Sequence, residues 1–206
     1  MGRMPNLQDF LDAVPTDPLE LTGLVSGLLC VVLLVRENIW VWPIGLVYAV
    51  VSVFVFLDER LFASMLESIY YIVMNAYGWY FWLRGKGERS SDDELSVIRM
   101  PRRAWIPTMT VMLLGSILVG AVLDRYTTAA LPFWDGGSMW MAFVAMWMSA
   151  RKWLENWAIW LVVDLVKTAV YISQGIEPYA ALYAVYIVMA VWGWRTWQKS
   201  MRVAEP

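Results

Sequence analysis

Seven runs of about twenty apolar residues, separated by short polar breaks, constrain this chain more than any other feature. They cover about 19–36, 39–57, 61–83, 104–123, 136–152, 153–173 and 179–198. A helix of about 20 mostly apolar residues is what crosses roughly 30 Å of hydrocarbon. The composition leaves little choice of solvent. Of the 206 residues, 60% are hydrophobic and 17% charged. Soluble domains are nearer 45–50% and 25%, and a chain this short has too little interior to hide the excess. The reading is therefore an all-α membrane protein. The breaks are Asp58-Glu59-Arg60, Arg84-Gly85, Pro132 with the Asp135-Gly136-Gly137 turn, Arg151-Lys152 and Gln174-Gly175.

The residues that are missing matter as well. There is no histidine, and Cys30 is the single cysteine. That removes intramolecular disulfides, cysteine metal clusters, His-based zinc or haem ligation and His general bases. A net charge of -2 gives no reason to expect nucleic acid. No cofactor is expected, and no nucleophile–base constellation points to a membrane enzyme.

Basic loops set orientation. Arg3, Arg60 and Arg125 fall on one side. Twelve Lys or Arg fall on the other, and Lys167 lies within a helix. The expectation is an outside N-terminus and a cytoplasmic C-terminus. Residues 1–18, with Asp9, Asp12, Asp17, Phe10 and Leu11, suit a short interfacial helix and do not read as a signal peptide. Residues 85–103 read as a solvated, basic cytoplasmic connector, and 200–206 as a tail.

The chain repeats itself. Residues 71–82 (YIVMNAYGWYFW) and 186–197 (YIVMAVWGWRTW) agree at seven of twelve positions, including Gly78/Gly193, Trp79/Trp194 and Trp82/Trp197. Glu37-Asn38…Trp42 also matches Glu155-Asn156…Trp160, which shifts the register from 115 to 118 and implies a three-residue loop difference. The repeat units are 19–84 and 136–199, and 104–135 supplies a returning helix and loop. Both units then enter the bilayer from the same side, an arrangement that suits a path between two halves.

Ionisable groups at membrane depth cost about 2.5–3.5 kcal/mol, so they point to function and face inward. Asp164, Lys167 and Glu67 qualify, and Asn75 is similarly deep. Helical spacing sets them beside aromatic stripes: Trp153, Trp157, Trp160, Asp164, Lys167 and Tyr171 on the sixth run, Glu67, Tyr71, Asn75, Gly78 and Trp82 on the third, and Tyr183, Tyr186, Gly193 and Trp197 on the seventh. Aromatic faces stack flat rings and attract cations, while carboxylates and amides bind hydroxyls. The combination suits an amphipathic solute with a ring, cationic or not, and several hydroxyls. Blander roles compete. Asp164 and Lys167 at i,i+3 can neutralise each other. Trp40, Trp105, Trp134 and Trp197 near helix ends suit interface anchors. Gly78 and Gly193 suit close helix packing, and Pro43 with Gly45 suits a bend in the second helix.

Trp42-Pro-x-Gly45, Glu67…Asn75-x-x-Gly78-Trp79-x-x-Trp82, Ala150-Arg151-Lys152…Glu155-x-Trp157-x-x-Trp160-x-x-x-Asp164 and Leu182-Tyr183…Gly193 together resemble the Pnu family of vitamin transporters, in its nicotinamide riboside branch. The resemblance covers all seven runs. It implies seven transmembrane helices arranged 3+1+3 as two parallel three-helix repeats, SWEET-like, in a homotrimer in the bacterial inner membrane. It also implies facilitated diffusion of nicotinamide riboside by alternating access, with trapping by cytosolic phosphorylation. The substrate residues it implies are Glu67, Asn75, Trp160, Asp164, Lys167, Tyr183 and Tyr186. Thiamine and riboflavin carriers share the family. A retinal pigment fits seven helices with a membrane lysine, but Lys167 lies on the sixth helix rather than the last, and the repeat goes unexplained.

Overall fold

In the computed structural model, residues 18–58, 62–84 and 95–203 are described. Seven helices account for nearly all of them: α1 Pro18–Val35, α2 Val41–Asp58, α3 Phe62–Arg84, α4 Arg102–Tyr126, α5 Pro132–Ala150, α6 Asn156–Ser173 and α7 Glu177–Val203. The expected interfacial helix over 1–18 falls almost entirely outside the described residues. The predicted runs correspond to these helices one for one. The largest shift at a start is in α5. Pro132 and Asp135 were expected to lie in a turn, but they occupy its first turn. Proline's fixed φ and missing N–H suit a first helical position, and an acid there faces the positive end of the helix dipole.

The polarity of the molecule is inverted relative to a soluble protein. Val47, Phe54, Leu66, Val73, Leu83, Ile106, Leu118, Ile172 and Val188 are all at least 60% exposed, spread over five helices. Apolar exposure on this scale has no counterpart on water-soluble monomers. Asn75, Ser149, Asn156 and Asp164 meanwhile are buried. By mean hydropathy, 2.1, α4 alone among the described helices is both long and apolar enough to cross a bilayer. α1 and α2 contribute shorter apolar stretches, Val25–Val35 and Val41–Leu57, while Trp and Tyr, which rank low on such scales, dilute α3, α5, α6 and α7.

The helices pack as two sets. α2 sits against both α1 and α3, and α6 against both α5 and α7. The sets meet along two seams, α1–α7 and α3–α5, and α4 packs on α5. Exchanging α1, α2 and α3 for α5, α6 and α7 leaves the contacts among these six helices unchanged, and α4, packed on α5 alone of the six, stands outside the symmetry.

Side chains obey the same exchange with one offset, 115. Trp42 lays its ring over Gly78, and Trp157 lays its ring over Gly193. Trp82 stands edge-on to Trp42 at 5.2 Å, and Trp197 edge-on to Trp157 at 5.4 Å. Glu37 and Lys152 follow α1 and α5 with φ of 53° and 50°, the left-handed region that non-glycine residues rarely enter. The structure thus corrects the second sequence match. The partner of Glu37 is Lys152 and that of Trp42 is Trp157. The Glu-Asn pair at offset 118 is a coincidence, and no three-residue loop difference exists.

Trp197 is also a correction. It is fully buried and donates its indole N–H to the Leu34 carbonyl at 3.1 Å, so it is no interface anchor. Trp40, Trp105 and Trp134 are exposed as expected. Pro43 falls in the first turn of α2, and Gly45 is the floor on which the Asn75 amide rests.

Candidate functional site

The two ends of the bundle differ. At the end where α1 and α5 finish, the halves are bound tightly to each other. Trp82 of α3 donates to the Ala150 carbonyl of the opposite half at 3.1 Å, and Trp197 of α7 reciprocates on Leu34. Lys152 Nζ lies 2.8 Å from Glu37 Oε2 and 4.5 Å above the Trp82 ring. Val35, Val41, Trp42, Leu154 and Trp157 complete a dry core there.

Toward the other end the seams are looser and polar. Tyr70 stacks on Phe143 at 3.9 Å and donates to its carbonyl at 2.6 Å, which joins α3 to α5. On the opposite seam the Tyr186 hydroxyl lies against Gly27 of α1, where an added Cβ would sit 3.1 Å away. Both contacts need short approach: a small residue on one side and an aromatic with a polar tip on the other.

Between these seams lies a cluster of tyrosines and charged groups. Tyr71 lies one turn from Glu67 on α3, within electrostatic reach of it. Tyr171 of α6 packs on Tyr183 and Tyr179 of α7 at 5.4 Å each, and Tyr183 meets Tyr186 edge-on at 5.6 Å. Tyr183 lies within electrostatic reach of both Asp164 and Glu67, and Tyr186 within reach of Asp164. Of the seven residues singled out from the sequence, Glu67, Asp164, Lys167, Tyr183 and Tyr186 are brought together.

Lys167 has a different partner from the neighbour considered for it. Its Nζ lies 2.6 Å from Asp135 Oδ1 in the first turn of α5. The possibility that Asp164 and Lys167 neutralise each other is therefore corrected. Asp164 is 5% exposed and takes part in none of the ion pairs among the described residues. A lysine reaches across to a neighbouring helix because its four-carbon stem is long, whereas i,i+3 geometry only makes a contact available.

Asn75 and Trp160 lie outside this cluster. Asn75 is buried, donates to the Tyr71 carbonyl at 2.7 Å and rests on Gly45. Trp160 donates to Ser149 Oγ at 3.2 Å, and that hydroxyl also contacts Asn156 at 3.0 Å. Asp135, Tyr71 and Tyr171 belong to the cluster but were not chosen from the sequence. The tyrosines were visible in the stripes. Asp135 was hidden by its Asp-Gly-Gly context, which resembles a turn.

This geometry gathers flat phenol faces, three carboxylates and hydroxyls, with no group of three or more metal-ligating side chains among the described residues.

Comparison with known proteins agrees. A family model described as nicotinamide mononucleotide transporter matches residues 17–199. The nicotinamide riboside transporter PnuC of Escherichia coli is 25% identical over 206 residues, covering 89% of this chain and 86% of its own. The riboflavin/roseoflavin transporter RibM of Streptomyces davaonensis is 28% identical over 192 residues, covering 91% and 88%. The crystal structure of the vitamin B3 transporter PnuC superposes with a TM-score of 0.70 at 21% identity, covering 91% of this chain and 83% of that one, and shares the fold. These relatives are transporters and not enzymes, which displaces the retinal and enzyme readings. The chain belongs to the nicotinamide mononucleotide transporter family, the Pnu-type vitamin carriers that its motifs resemble.

Proposed function

We propose that this protein carries nicotinamide riboside across the bacterial inner membrane by facilitated diffusion, with phosphorylation in the cytosol making uptake one-way. Seven membrane-spanning helices form two parallel three-helix repeats, α1–α3 and α5–α7, joined by α4 in a 3+1+3, SWEET-like arrangement. The unchanged packing pattern on exchanging the two sets supports this. The N-terminus is outside, the basic loops are cytoplasmic, and three copies assemble in the bilayer.

One observation carries the substrate reading: Asp164, buried and in no ion pair among the described residues, lies within electrostatic reach of Tyr183 and of Tyr186, whose hydroxyl meets Gly27 across the α1–α7 seam. A desolvated carboxylate beside phenol faces favours a flat cation. The pyridinium ring would lie among Tyr171, Tyr183 and Tyr186, with Asp164 opposite its charge. The ribose hydroxyls would reach Glu67 and Tyr71. Lys167, held by Asp135, positions the outer part of the pocket. Asn75 and Trp160 form its inner floor and bound how far the ligand descends. The halves rock about the site so that it opens to one side at a time.

Thiamine also bears a ring cation and remains a second candidate. Riboflavin is a third, because RibM is among the relatives; its uncharged ring leaves Asp164 without a role. Proteoliposomes with no ion gradient test the proposal. Labelled nicotinamide riboside should equilibrate to the external concentration and exchange against unlabelled vitamin. Accumulation only under an imposed proton or sodium gradient contradicts the uniport mechanism.

A further inference from the structure

The connector between α3 and α4 was read as solvated throughout. Its second part, 95–101, is not. Ile98 donates its N–H to the Lys152 carbonyl at 3.1 Å and accepts from the Leu154 N–H at 2.9 Å, a parallel bridge opposite Trp153. Met100 N–H donates to Glu155 Oε2 at 2.7 Å, and Arg99 lies 3.6 Å from the same carboxylate. Val97 and Met100 are 3% and 4% exposed. Val97 and Leu95 join the core of Val35, Trp42, Trp82, Leu154 and Trp157, while Met100 packs with Val144, Met148 and Trp153.

The turn that receives this strap, 151–155, is also where the halves lock. It contains Lys152, whose ammonium holds Glu37 across the seam, and it follows Ala150, which accepts from Trp82. A segment from the first half's connector therefore lies on the second half's turn, over the indole core that closes this end. The shut state has a cost: Trp42 and Trp157, at equivalent positions, bury indole N–H groups without hydrogen-bond partners among the described residues. Closure must then be held by other contacts, and the strap and the Glu37–Lys152 pair add to the Trp82–Ala150 and Trp197–Leu34 bonds and the shared apolar core.

We propose that residues 95–100 act as a bolt on the cytoplasmic gate. Glu155 and the backbone of 152–154 clip the strap down, and its release from that turn accompanies each opening toward the cytoplasm. Glu155 is a positioning residue, acting through the strap and not on the solute. This rests on the transport reading above. A strap that is only structural would stay paired through the cycle.

A reversible lock tests it. Paired strands run about 4.8 Å apart, within the Cα range a disulfide tolerates. Ile98→Cys with Trp153→Cys, in a Cys30→Ala background, should cross-link on oxidation. Oxidised protein should lose nicotinamide riboside uptake at least tenfold, regain it on reduction, and bind the vitamin within about twofold of the reduced form. Uptake that is equally fast in both forms overturns the bolt. Uptake by the Cys30→Ala parent reads the transport proposal by itself. A second measurement covers loss of Trp153 and needs no substrate, because an empty carrier also cycles. Val97→Cys, in that background, is labelled from the cytoplasmic face by a membrane-impermeant maleimide. It should react at least tenfold faster than Met148→Cys, which is equally buried in this state. Equal protection of the two contradicts strap release.

Discussion

Asp164 and the two glycines under tryptophan rings show what single residues determine. An added Cβ at Gly78 would meet Trp42 at 2.4 Å, and one at Gly193 would meet Trp157 at 2.5 Å. Neither indole can retreat, since both are almost fully buried. Gly78→Val and Gly193→Val should each destabilise by about 1–3 kcal/mol, seen as a lower melting temperature in detergent with vitamin binding retained in the folded fraction. Unchanged melting would mean that these rings are not packed as described. Asp164→Asn keeps the volume and removes the charge. It should weaken binding of a cationic vitamin at least tenfold and spare an uncharged one, measured by equilibrium dialysis. The packing glycines were legible because the repeat aligns Gly78 with Gly193. The partner of Lys167 was not. Sequence spacing orders residues along one helix and is silent about which carboxylate a neighbouring helix presents.

Among elements, the ion pairs within a half and between the halves differ in strength. Lys167–Asp135 links α6 to the start of α5 with Asp135 half exposed, so solvent screens it. Lys167→Met and Asp135→Asn should show a coupling of no more than about 1 kcal/mol in a double-mutant cycle. The Glu37–Lys152 pair is far more enclosed. Glu37→Lys or Lys152→Glu alone should cut uptake strongly, because each leaves like charges at a dry seam. The swapped pair should recover a substantial part in a proteoliposome flux assay, and failure to recover would mean that the two sites act separately. The helices themselves were legible as apolar runs. The strap was not, because Leu95, Val97 and Met100 lie among charged residues and before Pro101, and nothing local says that they will pack against the core.

For the molecule as a whole, the duplicated sequence explains the scaffold and the departures from it mark the site. The tryptophan pairs and Glu37/Lys152 follow the 115-residue offset. The site does not. Ala49 and Ser52 stand in α2 where α6 carries Asp164 and Lys167, and Gly45 stands opposite Trp160. The repeat and its 115-residue offset were visible between α3 and α7, but the equivalence of Trp42 with Trp157 was not, since a shared Glu-Asn dipeptide at offset 118 outweighed tryptophans that packing alone brings into register.

The central claim is that this pocket holds a cationic riboside between the halves. Isothermal titration of the purified protein with nicotinamide riboside, its 5′-phosphate, thiamine and riboflavin tests it most directly, run beside Asp164→Ala. The account predicts saturable binding of nicotinamide riboside, weakened at least tenfold by the substitution, with the phosphate disfavoured by Glu67 and Asp164. Equal affinity in wild type and variant, or tight binding of riboflavin alone, would contradict it.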